Sequence, residues 1–142
     1  EMLLDAVNSG SAHNKFLELV KLQNGDVSMV ENTDLLPSAD YIIEVKSNKE
    51  GFIQRIDAEE IGKCSLILGA GRETLESQLD FAAGLVLNKK VDDYVNIGDI
   101  LVYIHTNDLD KGDVVSKKIL DIYKIGDKNQ ENQVLIYDEI HN

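Results

Sequence analysis

Residues 64–80 read CSLILGAGRETLESQLD, an apolar run, Leu66-Ile67-Leu68, that stops at the two closely spaced glycines of Gly69-Ala70-Gly71-Arg72. The apolar triplet calls for burial, whereas the glycines permit positive φ and close backbone approach. A buried segment is therefore expected to emerge at a turn that presents Arg72 to solvent. Both flanks of that turn read as glycine-punctuated strand. Upstream, Tyr41, Ile43 and Val45 alternate with Ile42, Glu44 and Lys46, and Ser47 to Gly51 is of hairpin length before Phe52, Ile53 and Ile56. Asp57 is placed to cap a short helix near 58–62, which Gly62 ends. Downstream, Phe81 to Leu87 reads as a strand, and Val91 to Ile104 as two strands around a tight turn at Gly98-Asp99. Residues 41–107 are expected to form a mostly antiparallel β module with that one short helix.

The ends of the chain follow a different period. Ala12, Phe16, Leu19 and Val20 recur at helical spacing, which predicts an amphipathic helix over about 11–22 with Ser9 or Ser11 as N-cap. Asn24 and Gly25 supply its left-handed end, and Asp26 caps a further turn from Val27 to Val30. Glu1 to Val7 reads as the tail of an earlier helix. Pro37, the only proline, marks a boundary between a helical segment, 1–36, and a β-rich domain, 37–142. A last helix is predicted to start at Asp113 or Ser116, with Val114, Val115, Lys118, Ile119 and Ile122 as its packing stripe through Tyr123. Lys124 to Gln133 reads as a polar loop and Val134-Leu135-Ile136-Tyr137 as a terminal strand. The fold class is α+β.

Composition narrows the function classes. The chain has 142 residues, 43% of them hydrophobic and 28% charged, with a net charge of −12. That length suits one globular core with modest extras, and no run approaches the roughly 20 apolar residues of a membrane span. The acidic balance disfavours nonspecific nucleic-acid binding, which needs clustered Lys and Arg; Lys117-Lys118 reads as a solvated helix face. Single Cys64 beside apolar residues reads as a core filler. The chain opens on Glu1 without a secretory or transit-like segment, so the expectations are a cytoplasmic protein and an excised piece of something longer.

Catalytic signatures are sparse. His13, His105 and His141 lack a second His, Cys or acid at metal-ligand spacing, so no metal or cofactor is expected. His105, at a strand end beside Thr106-Asn107, reads as a surface or packing residue. Gly69-Ala70-Gly71 matches neither the dinucleotide fingerprint nor the P-loop, and Asp92, Asp93 and Asp99 lie in turns, where Asp is locally favoured.

Read in order, several motifs resemble the C-terminal domain of the pyrimidine-nucleoside phosphorylase and thymidine phosphorylase family. They are Ser9-Gly10-Ser11-Ala12 with Lys15-Phe16, Gln23-Asn24-Gly25-Asp26, Gly51-Phe52-Ile53, Leu68-Gly69-Ala70-Gly71-Arg72, the Asp80 to Gly84 step, and Val95-Asn96-Ile97-Gly98-Asp99-Ile100-Leu101 with His105-Thr106-Asn107. The family usually has glycine at the positions of Asn24 and Asp92; Asn and Asp are the residues that best tolerate left-handed backbone, so both turns are expected to persist. The resemblance implies an α/β-hammerhead domain with a barrel-sandwich-like core. It also implies an enzyme that splits uridine, thymidine or deoxyuridine with phosphate, a homodimer whose catalytic residues lie in preceding lobes, and an isolated domain without activity. Gly69, Ala70, Gly71 and Arg72 become a candidate interdomain loop. The pattern from Val91 to Leu101 is also similar to biotinyl and lipoyl carrier domains, but the turn expected at their modified hairpin tip offers Arg72 and no lysine. A stand-alone interaction module is the remaining alternative.

Overall fold

The computed structural model describes residues 1–72, 74–128, 138 and 140. Two compact units separate after Pro37. In the first, α1 (Met2–Asn8) and α2 (Ser11–Leu22) are followed by α3 (Ser28–Glu31) and a single 3-10 turn at Thr33–Leu35. The predicted limits of α2 match. Its N-cap differs: Gly10, at φ 75°, takes that place instead of Ser9 or Ser11, whose hydroxyls bond to the Ala6 carbonyl. The two-residue step between the helices, Ser9-Gly10, takes left-handed backbone at its second residue, which glycine adopts freely. At the other end Asn24 is left-handed at φ 58°, and the Asp26 carboxylate accepts from the N–H and hydroxyl of Ser28, which hold it below the usual carboxylate range.

Among the described residues, the second unit holds two three-stranded antiparallel sheets with two helices. Strands β1 (Tyr41–Lys46), β5 (Ile100–Thr106) and β3 (Gly84–Leu87) make the first sheet, with β5 in the centre. Strands β4 (Tyr94–Val95), β2 (Gly51–Ile56) and β6 (Tyr123–Gly126) make the second, with β2 in the centre. The two expected hairpins are absent. Consecutive β1 and β2 lie in different sheets, as do β4 and β5, so both connections cross between sheets. The crossings are tied to each other: Ser47 N–H donates to the Asp99 carbonyl and Gly98 N–H donates to the Ser47 carbonyl, each at 2.8 Å. Gly98, at φ 93°, turns the chain there.

Alternation places Val102, Ile104 and Thr106 of β5 on the inner face, opposite Val45, Ile43 and Tyr41 of β1 and Leu87 and Leu85 of β3. Val102, Ile104 and Thr106 are fully buried. Ile53 and Val95 bring the second sheet into the same core, and Phe52 meets Tyr94 edge to face with ring centroids 5.1 Å apart.

The helices account for the main corrections. Helix α4 (Ala58–Leu68) is capped by Asp57 as expected, its carboxylate accepting from Glu60 N–H at 3.3 Å, but it runs straight through Gly62 to Gly69. Leu66-Ile67-Leu68 is thus the last turn of a helix and not a strand. Ile61, Cys64 and Leu68 recur at helical spacing toward the core, whereas a side chain at Gly62 would meet open space. An interior glycine costs about 1 kcal/mol relative to alanine, and burial of that face exceeds the loss. Helix α5 (Leu109–Ile122) begins four to seven residues before the predicted start, because Asp108 caps it, accepting from Lys111 N–H at 3.1 Å. Val115, Ile119 and Ile122 are buried; Val114 is not. Tyr123 leaves the helix to start β6, which occupies the first residues of the expected polar loop. The strand expected at Val134-Tyr137 lies outside the described residues. No helix among the described residues is long and apolar enough to cross a membrane.

Candidate functional site

Gly69 ends α4 in left-handed backbone at φ 101°, with its N–H on the Leu66 carbonyl and Ala70 N–H on the Ser65 carbonyl, both at 3.0 Å. This pair of bonds is the glycine-ended helix stop. The turn is therefore a helix terminus and not a hairpin tip, which removes the placement a modified carrier hairpin requires. Gly71 has no positive φ; a side chain there would come within 2.7 Å of Leu66 Cδ1 and push that side chain aside. Arg72 is exposed, as its place in the sequence suggested.

From Gly69 the chain makes a loop that returns to its own start. Asp80 N–H donates to the Gly69 carbonyl at 2.9 Å and closes the neck. Asp80 is held further by two side-chain bonds: Oδ1 accepts from Ala82 N–H at 3.0 Å, and Oδ2 accepts from Asn107 Nδ2 at 2.9 Å. Asn107 Oδ1 in turn accepts from Asp40 N–H at 2.8 Å. A loop after α4 is thereby fastened to the chain entering β1 and leaving β5. Within it, the Thr74 backbone N–H donates to the Ser77 hydroxyl at 3.1 Å. Lys111, from the first turn of α5, faces a cleft of about 290 Å³ beside Gly69, Gly71 and Ser77. Compact loops whose ends meet and whose interior is tied by their own groups are common functional elements.

Sequence reasoning singled out Gly69, Ala70, Gly71 and Arg72 but gave no role to Asp80, Asn107 or Asp40. Asp80 and Asn107 stood within quoted motifs, yet a bond between residues 27 positions apart, and another across 67, leaves no local pattern. The remaining candidates separate. His105 sits inside central β5, opposite Ile42 and Gly84. Cys64 is buried in the core, and desolvation raises its thiol pKa, which suits packing and not nucleophilic attack. Lys118 borders a second cleft, about 390 Å³, with Arg55, Lys124, Asp57, Glu60 and Asp121, so both signs of charge line it. Arg55 is paired to Asp57 at 2.9 Å and Lys63 to Glu59 and Glu60 at 2.7 Å, the latter pairing raising the lysine pKa. Exposed pairs of this kind add little stability. No group of three His, Cys, Asp or Glu side chains among the described residues could hold a metal ion.

The two non-glycine residues with positive φ among those described are Asn24 at 58° and Asp92 at 76°. These are the two positions where the family pattern has glycine, so both turns persist with the substitute residues.

Residues 52–126 match the model of the pyrimidine nucleoside phosphorylase C-terminal domain. The pyrimidine-nucleoside phosphorylase of Staphylococcus epidermidis is 45% identical over 117 residues, 82% of this chain and 27% of the relative. That of Staphylococcus aureus is 44% identical over 116 residues, with the same two shares. The chain spans about a quarter of the length of these relatives. The matched region runs from β2 through β6 and takes in α4, the loop that follows it and α5, and on that footing the chain belongs to the pyrimidine nucleoside phosphorylase C-terminal domain family.

Proposed function

We propose that this chain serves as the C-terminal domain of a pyrimidine-nucleoside phosphorylase, a pentosyltransferase of nucleoside salvage acting on uridine, thymidine or deoxyuridine. The observation that carries the reading is 45% identity sustained over 117 residues with a relative of that name. In the reaction a phosphate oxygen bonds to the sugar C1 as the C1–N bond breaks. The base departs with the electron pair and takes up a proton, leaving pentose 1-phosphate.

The reading assigns that chemistry to lobes preceding this domain in a homodimeric, cytoplasmic enzyme, and assigns to this domain a structural and closing role. Residues 1–36 then complete the α/β lobe, and residues 37–142 form the appended domain with the barrel-sandwich-like core the resemblance implies. Gly69 to Arg72 is the part of it that faces the other lobe. Arg72 favours this because it is exposed on a loop whose neck is fastened, so its charge is displayed without contributing to the core.

The test uses the gene-length polypeptide with uridine, in the presence and absence of phosphate. Equimolar uracil and ribose 1-phosphate, formed only with phosphate, are expected, and the 142-residue chain alone should release no base. Cleavage by water alone, or none with any of the three nucleosides, overturns the reading.

A further inference from the structure

Asn24-Gly25 is the only Asn-Gly step in the sequence, and it lies just past the end of α2. An asparagine side chain reacts with its own backbone when the next amide nitrogen reaches Cγ, and a following residue without a side chain leaves that path open. Both residues are exposed. The folded helix end holds them back from reaction. Asn24, left-handed at φ 58°, donates its N–H to the Lys21 carbonyl at 3.1 Å, and Gly25 donates to the Val20 carbonyl at 2.9 Å. The attacking nitrogen is thus engaged with the helix, and closely so, since a side chain at Gly25 would stand 2.8 Å from Val20 Cγ1. A bond at an exposed helix end is among the first to open.

We propose that Asn24 is a self-modifying site, converted to aspartate and isoaspartate by attack of the Gly25 nitrogen whenever the Gly25–Val20 bond opens. The Gly25 N–H gives its proton to a solvent base and the nitrogen bonds to Asn24 Cγ. The Cγ–Nδ2 bond then breaks, and Nδ2 leaves as ammonia with a proton from solvent, so no oxidant or cofactor is needed. Water opens the cyclic imide at either carbonyl. Attack at Cγ leaves aspartate, whereas attack at the main-chain carbonyl carbon leaves isoaspartate, with one additional carbon in the main chain. Either product works against the helix end. The new carboxylate lies at the negative end of the α2 dipole, and the isoaspartate lengthens the backbone between Val20 and Gly25 and so spoils the bond that held it. Asn24 stands where the family pattern has glycine, so the reaction belongs to this chain's own sequence, and it does not depend on the phosphorolysis reading.

Peptide mapping by mass spectrometry, with enzymatic methylation to count isoaspartate, tests this on the gene-length polypeptide and on a synthetic peptide of residues 19–30. Conversion at Asn24 is expected in both, faster at higher pH because the Gly25 N–H must be deprotonated, and about tenfold slower in the protein, where the helix end must open first. Lys21→Gly, on the exposed side of α2, weakens that end; it is expected to speed conversion in the protein about fivefold and to leave the peptide rate unchanged. Asn24→Gly should abolish the gain in mass and the isoaspartate signal. Equal rates in protein and peptide, or no response of the protein to Lys21→Gly, overturn the control by the helix end. A protein that keeps Asn24 intact while the peptide converts completely, with Lys21→Gly equally intact, overturns the site itself.

Discussion

The two units use the same helical grammar to opposite ends. In residues 38–142, α4 and α5 turn their apolar stripes inward, and Ile53, Ile104, Val115 and Ile119 are wholly buried. In residues 1–37, α2 is amphipathic too and α1 is largely apolar, yet no helix there has a buried residue, and Met2, Leu3, Phe16, Leu19 and Leu22 are at least half exposed. An amphipathic pattern therefore specifies that a face is to be covered. Whether it is covered depends on what else the chain brings to it.

The largest expected effect separates the units outright. Ile119→Ala removes a wholly buried side chain from α5 and should destabilise the second unit by about 3 kcal/mol, whereas Leu3→Ala, at a position 82% exposed, should change stability by less than about 0.5 kcal/mol. Urea unfolding monitored by circular dichroism measures both, and equal effects would break the contrast. Next is Gly112→Val. A side chain at Gly112 would stand 2.5 Å from Ile43 Cδ1 and 3.2 Å from Thr106 Cγ2, so α5 packs closely against β1 and β5 there and a branched residue must displace both side chains. A loss of about 2 kcal/mol is expected, with Gly62→Ala as the counterpart on open helix surface, expected to gain about 0.5 kcal/mol.

A smaller effect sharpens how the second unit is sealed. Tyr123 donates its hydroxyl to the Lys89 carbonyl at 3.0 Å, and burial, with a contribution from nearby Asp93, pushes its pKa up to about 12. The ordinary tyrosine value is about 10, so the folded state favours the neutral phenol. The associated stability is complete below pH of about 10 and is lost as pH rises through the folded value. Allowing for solvent screening, the loss is on the order of 1 kcal/mol. Thermal melts between pH 9 and 12 should decline in the native chain and decline less in Tyr123→Phe; identical slopes would remove the assignment.

The smallest effect compares the two left-handed residues. Asp92 has φ 76° and a buried Oδ1 without a partner among the described residues, whereas Asn24 has φ 58° in the first unit. Asp92→Gly should therefore stabilise by about 0.5–1 kcal/mol, and Asn24→Gly by less. Differential scanning calorimetry on both variants would reverse this order if the orphaned oxygen were harmless.

Local chemistry was legible in the residues themselves. The end of α2, the Asp57 cap, the left-handed Asn24 and Asp92, the core place of Cys64 and the exposure of Arg72 each follow from one residue's stereochemistry or polarity. The ordered motifs also indicated the family, since they are local signatures read in sequence. Pairing was not legible. Tyr41–Lys46 and Gly51–Ile56 alternate as hairpin strands do, but an alternating strand specifies only which face is buried, and any strand presenting a matching face can be its neighbour. Leu66-Ile67-Leu68 suits a strand core and a helix equally, and packing of Ile61, Cys64 and Leu68 decided for the helix. The clasp at Asp80, Asn107 and Asp40 exists only once β1, β5 and the loop share one edge of the molecule, because hydrogen bonds depend on distance in space and not along the chain.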